Sequence, residues 1–183
     1  MSQVVNRQRD FYRFERLHDV MEYSNEIGYI HQGGAQRLLD MADGQVFVYG
    51  TLMDGFGNNR IIDGTLLGED CTKVAAFDMQ NVGYPIAFVA TDEGPCYKIR
   101  GECWTAVTPL SMMNMFWLEF GAGYEVGIVE LETYGKALMF FQGPWKRLPD
   151  YERGDVIMED GCLEWAGHAL RVPAEIGGGT TDA

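Results

Sequence analysis

The sequence has few basic residues: 14 Lys and Arg stand against 27 Asp and Glu, which gives a formal net charge of −13. The Lys and Arg are scattered and form no stripe along the chain. Because a chain of this charge repels a phosphate backbone, we expect no nucleic-acid partner. The acidic surplus is typical of a soluble surface.

Long hydrophobic runs are also missing. No apolar stretch approaches the roughly 20 residues that span a bilayer, and the first ten residues, MSQVVNRQRD, lack the apolar core of a signal peptide. We therefore expect a soluble, cytoplasmic protein with no membrane partner. The 46% hydrophobic and 22% charged residues are those of an ordinary globular chain, and 183 residues suit one main domain.

Metal-binding and redox patterns are scarce. The four cysteines, Cys71, Cys96, Cys103 and Cys162, show no CxxC spacing, and the chain has only three histidines. This pattern argues against a zinc site and against a dense disulfide framework. We expect the cysteines to be buried free thiols, and we expect no metal.

Several catalytic motifs are absent as well. There is no GxSxG elbow, and none of the three serines has a histidine near it in sequence. The metal-binding HExxH and EF-hand patterns are missing. No GK[ST] follows the glycines at 55 and 57, as a P-loop requires, and Arg60 stands where a dinucleotide fingerprint needs its third glycine. These absences exclude a serine triad, a dedicated metal site and a phosphate-cradling loop.

The segment VFVYGTLMDGFGNNR, residues 46–60, is the first positive signal. Its first four residues are β-branched or aromatic and predict a buried strand. Gly50, Gly55 and Gly57 then predict an open loop whose backbone can take positive φ and approach a ligand closely.

Before this segment the pattern is helical. Apolar residues from 10 to 27 recur at helical spacing, namely Phe11, Phe14, Leu17, Met21 and Ile27, and a second short helix is predicted over residues 35–41. We interpret residues 1–44 as a helical extension whose apolar stripe covers an edge of the main domain, or else binds a partner. The main domain then spans residues 45–172, and we expect residues 173–183 to form a mobile tail.

After the glycine-rich loop the pattern becomes one of strands. We predict strands over residues 84–90, 97–107, 124–133 and 136–142, the last two forming a hairpin, and weaker strands over 155–158 and 162–172. One helix interrupts them, with Thr108 as its cap, Pro109 at its first position and Gly121 at its end.

That helix carries a carboxylate on an apolar face. Helical spacing aligns Met112, Met115, Phe116 and Glu119. Burial there would favour the neutral acid and raise the pKa of Glu119 toward the range useful for proton transfer. The alternative is that the helix frays at its end and Glu119 reaches water.

Six segments occur in an order that resembles a known family. They are VFVYGTL (46–52), VGYPIAF (82–88), IRGECWTAV (99–107), a helix ending in WLE (117–119), GYEVGIVEL (123–131) and ALMFFQ (137–142). Together they resemble the gamma-glutamylcyclotransferase-like superfamily, which includes AIG2-like and BtrG-like proteins and gamma-glutamylamine cyclotransferase. The resemblance covers roughly residues 45–143.

The resemblance implies an α+β fold, a compact mixed β-barrel with peripheral helices and a cavity over the YGTL turn. It also implies a cofactor-independent enzyme, a lyase or acyltransferase, that cyclises a γ-glutamyl group to 5-oxoproline and releases an amine or amino acid. In this chain Glu119 would be the general acid and base. The substrate-binding residues would be Tyr49, Gly50, Thr51, Leu52 and Tyr124.

The helix end departs from the family pattern, which usually has Asp shortly before the glutamate and Gly after it, whereas this chain reads FWLEFG. This departure makes a non-catalytic binding module on the same fold one alternative. An interaction protein that works through its amphipathic amino-terminal helix is another. Glu102 matches the GE element of the family and is expected to support the site structurally. The leaving group and the oligomeric state stay open.

Overall fold

The computed structural model describes residues 30–90, 94–143 and 155–167. The amphipathic helix predicted over residues 10–27 and the tail predicted over 173–183 lie outside these residues. The described elements are α1 (Gln32–Met41), β1 (Val46–Val48), a short 3-10 helix (Asn59–Ile61), β2 (Thr65–Cys71), β3 (Phe77–Asn81), β4 (Pro85–Val89), β5 (Lys98–Thr105), α2 (Pro109–Gly121), β6 (Glu125–Glu130), β7 (Lys136–Phe141), β8 (Val156–Glu159) and β9 (Cys162–Trp165).

Local sequence signals position both helices. The Thr108 side chain accepts a hydrogen bond from the Ser111 N–H at 3.2 Å, and Pro109 begins α2, so the predicted cap is confirmed. Helix α1 begins earlier than predicted because His31 caps it: its Nδ1 accepts the Gly34 N–H at 3.2 Å. Two consecutive glycines are thus tolerated in the first turn of α1, where a side-chain cap compensates for their low helix propensity.

The strands form a mixed α+β fold around a seven-stranded sheet with the order β6-β7-β1-β5-β9-β8, in which β2 also pairs with β5. Strands β1 and β5 are antiparallel, β1 and β7 are parallel, and β6 and β7 form the predicted hairpin. Strands β3 and β4 form a separate two-stranded ribbon.

The closed barrel that the resemblance implied is not formed by the described strands. The end of β2 meets the end of β6 through a single bridge between Thr72 and Leu131, with no ladder beyond it. The β3–β4 ribbon, which follows this bridge in the chain, pairs with the rest of the described strands only through isolated bridges between Phe77 and Tyr97 and between Phe88 and Gln142. The described strands are therefore not closed into a barrel by a continuous ladder.

Two strands, β2 and β3, were not predicted, because each contains residues that seldom favour strands. Strand β2 has a bulge between Leu66 and Gly68 and includes the buried Asp70. The Asp70 carboxylate accepts the backbone N–H groups of Thr133 and Tyr134, each at 3.0 Å. These long-range hydrogen bonds and the pairing with β5 outweigh the local preference.

One hydrophobic core joins the helices to the sheet. Phe47 of β1, Ile99 of β5 and Leu138 of β7 are almost completely buried, and so are Leu38 and Leu39 of α1. Helix α1 therefore packs on the same core as the strands. None of the described helices is long and apolar enough to cross a membrane.

The expectation of four free thiols was wrong. Cys71 and Cys162 form a disulfide across 91 residues, with their Cα atoms 6.7 Å apart. Strand β5 brings them together, because β2 pairs Cys71 with Arg100 while β9 pairs Cys162 with Lys98. A separation of this length leaves no local spacing signal in the sequence. Cys103 remains a buried thiol, and burial raises its pKa to about 12.

Candidate active site

The loop after β1 is held in place largely by its own residues. The Gly50 carbonyl accepts the Met53 N–H at 2.9 Å, which makes a tight turn directly after Tyr49. The side-chain amides of Asn58 and Asn59 donate to the Thr51 hydroxyl at 2.9 Å and to the Leu52 carbonyl at 2.8 Å. The asparagines of the GFGNN sequence therefore fold the loop back over the YGTL turn.

Glu102 fastens this loop to the sheet. Its Oε2 accepts the Asp54 N–H at 2.7 Å and the indole N–H of Trp104 at 3.3 Å. Burial raises the pKa of Glu102, and these two hydrogen bonds oppose the rise. Glu102 does not line the cavity described below, so its position agrees with the supporting role expected from the sequence.

The YGTL turn has peptide donors that bond to none of the other described residues. The N–H groups of Gly50, Thr51 and Leu52 donate no hydrogen bond to any other described residue. Successive N–H groups at a turn attract anions and carbonyl oxygens. The turn thus offers donors to a ligand where a helix or a sheet would have used them internally.

These donors border a cavity of about 320 Å³. All of the site residues predicted from the sequence lie along it, namely Tyr49, Gly50, Thr51, Leu52, Glu119 and Tyr124. The structure therefore brings together the YGTL turn, the end of α2 and the start of β6. The volume of the cavity is at the lower end of the range for small-molecule sites, roughly 300–1,000 Å³.

Glu119 stands on the last turn of α2, and the end of this helix is capped by the backbone. The Glu119 carbonyl accepts the N–H groups of Ala122 and Tyr124, each at 3.0 Å. Met112, Met115 and Phe116 on the same face of α2 are buried in the core. The fraying considered as an alternative does not occur in the structure.

The Glu119 carboxylate faces the cavity without a cation. No described side chain forms an ion pair or a hydrogen bond with it, and burial raises its pKa from 4.5 to about 7. Among the residues described, the cavity is lined by no Lys, Arg or His. A carboxyl group of this pKa can both accept and donate a proton near neutral pH.

Two buried tyrosines connect the cavity to β4. The Tyr124 hydroxyl donates to the Pro85 carbonyl at 3.0 Å, and the Tyr49 hydroxyl accepts the Ala87 N–H at 3.3 Å. Burial is the main reason why the pKa of each phenol is raised, and the nearby Glu119 carboxylate adds to the rise. Both phenols are therefore protonated at neutral pH and help to position β4 against the YGTL turn.

Sequence reasoning missed several cavity residues. Asn58, Gly83, Tyr84, Leu118 and Phe140 also line it. Tyr84 lies at the turn between β3 and β4 and is 44% exposed. The VGYP sequence was a signal for this turn, but nothing local shows that the turn reaches the site. Within the described ranges, no group of three or more His, Cys, Asp or Glu residues is arranged to hold a metal ion.

The raised pKa of Glu119 predicts a pH-dependent cost to folding. The folded protein holds the Glu119 proton more tightly than the unfolded chain, so the free energy of unfolding should fall as the pH rises from about 4.5 to about 7. A shift of this size corresponds to on the order of 3 kcal/mol at most, and partial solvent access reduces it. Glu119→Gln should therefore stabilise the protein relative to wild type more at pH 8 than at pH 4.5.

Urea unfolding at the two pH values measures this difference. Glu125→Gln is a suitable control because it makes the same substitution at an exposed residue of β6. The same stability change from Glu119→Gln at both pH values would mean that Glu119 is solvated in the folded protein.

Several solved structures are similar to this chain. One is an AIG2-like protein from Mus musculus, which has 19% sequence identity and a TM-score of 0.47, and the match covers 72% of this chain and 97% of that chain. An uncharacterised protein from Pyrococcus horikoshii has 22% identity over 67% of this chain and 86% of that chain, with a TM-score of 0.47. A Bacillus subtilis protein has 27% identity over 54% of this chain and 35% of that chain, with a TM-score of 0.42.

No curated protein matches the chain. The family model described as "Gamma-glutamyl cyclotransferase, AIG2-like" matches residues 46–161, which is more than half of the chain and includes the YGTL turn, α2 and Tyr124. The chain belongs to this AIG2-like gamma-glutamyl cyclotransferase family.

Proposed function

We propose that the protein is a cytoplasmic, cofactor-independent enzyme that cyclises the γ-glutamyl group of a small molecule to 5-oxoproline and releases an amine or amino acid. The observation that carries this proposal is that one cavity is lined both by Glu119, whose pKa is about 7, and by the YGTL turn, whose N–H groups at residues 50–52 donate to no other described residue. Membership of the gamma-glutamyl cyclotransferase family supports the same reaction.

Binding would use the two different sides of the cavity. The N–H groups of Gly50, Thr51 and Leu52 are donors for an oxygen of the glutamyl group, while Phe47, Leu118 and Phe140 are apolar. Because the lining residues include no cation, the turn itself supplies the donors that a negatively polarised oxygen needs. The Glu119 carboxylate is then the acidic group of the cavity that can accept a proton from the amine.

In the chemical step the α-amine nitrogen attacks the γ-carbonyl carbon of the same glutamyl group. A new C–N bond closes the five-membered ring, and the bond from that carbon to the leaving nitrogen breaks. Glu119 first accepts a proton from the α-ammonium group and donates it to the leaving nitrogen. It then accepts the second proton that the ring nitrogen loses as the lactam forms, and the released amine takes up this proton, directly or through water, so the protons balance without a cofactor. Peptide N–H groups of the turn would stabilise the oxyanion in between.

The ring closure is intramolecular, which limits what the protein has to supply. Binding needs to fold the glutamyl chain so that its amine approaches its own carbonyl, and this orientation removes much of the entropic barrier. The proton transfers then require one group that exists in both protonation states near neutral pH. Glu119 meets that requirement because its burial raises its pKa to about 7.

A panel of γ-glutamyl amines, γ-glutamyl amino acids and γ-glutamyl peptides tests the proposal. We expect the protein to release the amine component from at least one class, with kcat/KM rising with pH up to an apparent pKa near 7 as Glu119 becomes ionised. Chromatographic quantification of the released amine gives the rate, and a buffer incubation gives the uncatalysed background. Release no faster than background for every class would favour a non-catalytic binding module.

A further inference from the structure

The GFGNN segment, residues 55–59, contacts strand β9 through one aromatic pair. The ring centroids of Phe56 and Trp165 are 5.0 Å apart, and both side chains are almost completely buried. Buried aromatic pairs of this kind stabilise beyond the area that they bury. Neither residue lines the cavity, so the pair holds the loop at a place where it does not touch a ligand.

The two rings are closely packed. A Cβ atom built at Gly167 would lie 2.9 Å from an atom of each ring, so the backbone after β9 lies directly against the pair. Among the described residues, none accepts the indole N–H of Trp165. Trp165 therefore acts on the loop as an apolar packing surface and not as a hydrogen-bond donor.

Hydrogen bonds lead from Phe56 to the YGTL turn. The Phe56 N–H donates to the Met53 carbonyl at 3.2 Å, and the Phe56 carbonyl accepts the Asn59 N–H at 3.1 Å. The Asn58 N–H donates to the Thr51 carbonyl at 3.2 Å, and the side chains of both asparagines bond to the turn as described above. A displacement of the Phe56 ring is thus only a few bonds away from the peptide donors that border the cavity.

Strand β9 is itself firmly anchored, so it can serve as a fixed support. Cys162 is held by the disulfide to β2 and pairs with β5, and Leu163 is fully buried and pairs with β5 as well. The carboxylate of Glu164 lies 3.5 Å from the guanidinium Nε of Arg100. Three consecutive residues therefore fix β9 to the sheet immediately before Trp165.

We propose that Trp165 is a positioning residue of the candidate active site. It acts through Phe56 to hold the GFGNN segment in place, so that the N–H groups of the YGTL turn are ordered before a ligand binds. The identity of the ligand, a γ-glutamyl compound, rests on the proposed function, whereas the contact itself does not. Strand β9 lies beyond residues 46–161, which the family model matches, so the family match does not assign this role.

Hydrogen exchange followed by mass spectrometry tests whether Trp165 orders the loop, and it needs no ligand. The N–H groups of residues 53, 56, 58 and 59 are hydrogen-bonded within the loop, and we expect them to exchange several-fold faster in Trp165→Leu. Strand β6 lies at the other end of the strand order from β8 and β9, so its exchange should be unchanged and serves as the internal control. Trp165→Phe is the matched conservative variant, because it keeps an aromatic ring and removes no hydrogen bond to a described residue; its loop should exchange as in the wild type.

Calorimetric titration with 5-oxoproline tests whether this order matters for binding. Trp165→Leu should raise Kd roughly 2- to 10-fold, the range that corresponds to the strength of an aromatic pair, with an unchanged stoichiometry. A merely structural role would lower the stoichiometry, because less protein is folded, and would leave Kd unchanged. Phe56→Leu should raise Kd equally, and the double variant should show no further rise, because Trp165 acts through Phe56.

Equal loop exchange in the wild type and in Trp165→Leu would overturn the proposal. Faster loop exchange with an unchanged Kd, or effects of the two substitutions that add up in the double variant, would overturn it too. Circular dichroism checks each fold, and Phe56→Leu takes the place of Trp165→Leu in both experiments if the latter does not fold. A wild-type protein that binds neither 5-oxoproline nor a γ-glutamyl analogue would contradict the proposed function, and loop exchange alone would then decide whether Trp165 positions the loop.

Discussion

Glu119→Gln is expected to lower kcat by about 10²- to 10⁴-fold, the contribution typical of a positioned general acid and base. The amide has nearly the same shape as the carboxyl group, but it cannot accept the ammonium proton. The backbone cap that Glu119 provides for Ala122 and Tyr124 uses its carbonyl and is preserved in the variant. Ligand binding should therefore stay close to that of the wild type, and the variant should stay folded, with the higher stability at pH 8 that the raised pKa of Glu119 predicts.

Steady-state kinetics with the best substrate of the panel measures this loss, and thermal unfolding checks the fold. Glu125→Gln provides the control because this exposed glutamate of β6 lies outside the cavity lining, so its kcat should be unchanged. If the Glu119→Gln enzyme has a nearly normal kcat, a group other than Glu119 transfers the protons.

Gly50→Val is expected to abolish measurable ligand binding. A Cβ atom at Gly50 would lie 2.6 Å from Cγ and 3.3 Å from Cδ of Pro85, closer than packed carbon atoms approach. Pro85 has a rigid ring and its carbonyl accepts the Tyr124 hydroxyl, so it cannot shift without disturbing Tyr124. The YGTL turn would be displaced instead, and its N–H groups would no longer point at the ligand.

Gly57→Val is the matched control in the same loop, because no atom lies within 4 Å of a Cβ built at Gly57 and its φ is not in the left-handed region. Thr51→Ala should have a mild effect of about 0.5–1.5 kcal/mol, the worth of the neutral hydrogen bond to Asn58. Calorimetric titration with 5-oxoproline or a γ-glutamyl analogue gives the ranking. A folded Gly50→Val protein that binds as tightly as Gly57→Val would place the ligand away from this turn.

The sequence predicts those elements of the fold in which local and tertiary preferences agree. Thr108, Pro109 and Gly121 define α2 because capping and helix-ending chemistry act within a few residues. Strand β2 was missed because Asp70 is tolerated there only through hydrogen bonds to Thr133 and Tyr134, more than 60 positions away in the chain. The disulfide between Cys71 and Cys162 depends on the same long-range pairing with β5.

The candidate site also contains residues that the sequence predicts and residues that it does not. Glu119 and the YGTL turn could be predicted because an apolar helical face and a strand-to-glycine transition are local patterns, and the family resemblance connected them. The roles of Tyr84 and Pro85 could not, because they arise where the β3–β4 ribbon lies against the turn. The steric need for glycine at 50 is one such consequence: it comes from the Pro85 ring, which no pattern around Gly50 indicates.

The most direct test of the proposed cyclisation is the identity of the acidic product. Mass spectrometry of a reaction with a γ-glutamyl substrate should find 5-oxoproline and the released amine in equal amounts, because the attacking nitrogen belongs to the glutamyl group itself. Attack by water would give glutamate. Equimolar 5-oxoproline that is lost in Glu119→Gln is the predicted result, whereas glutamate as the product, or no product from the wild-type protein, would contradict the account.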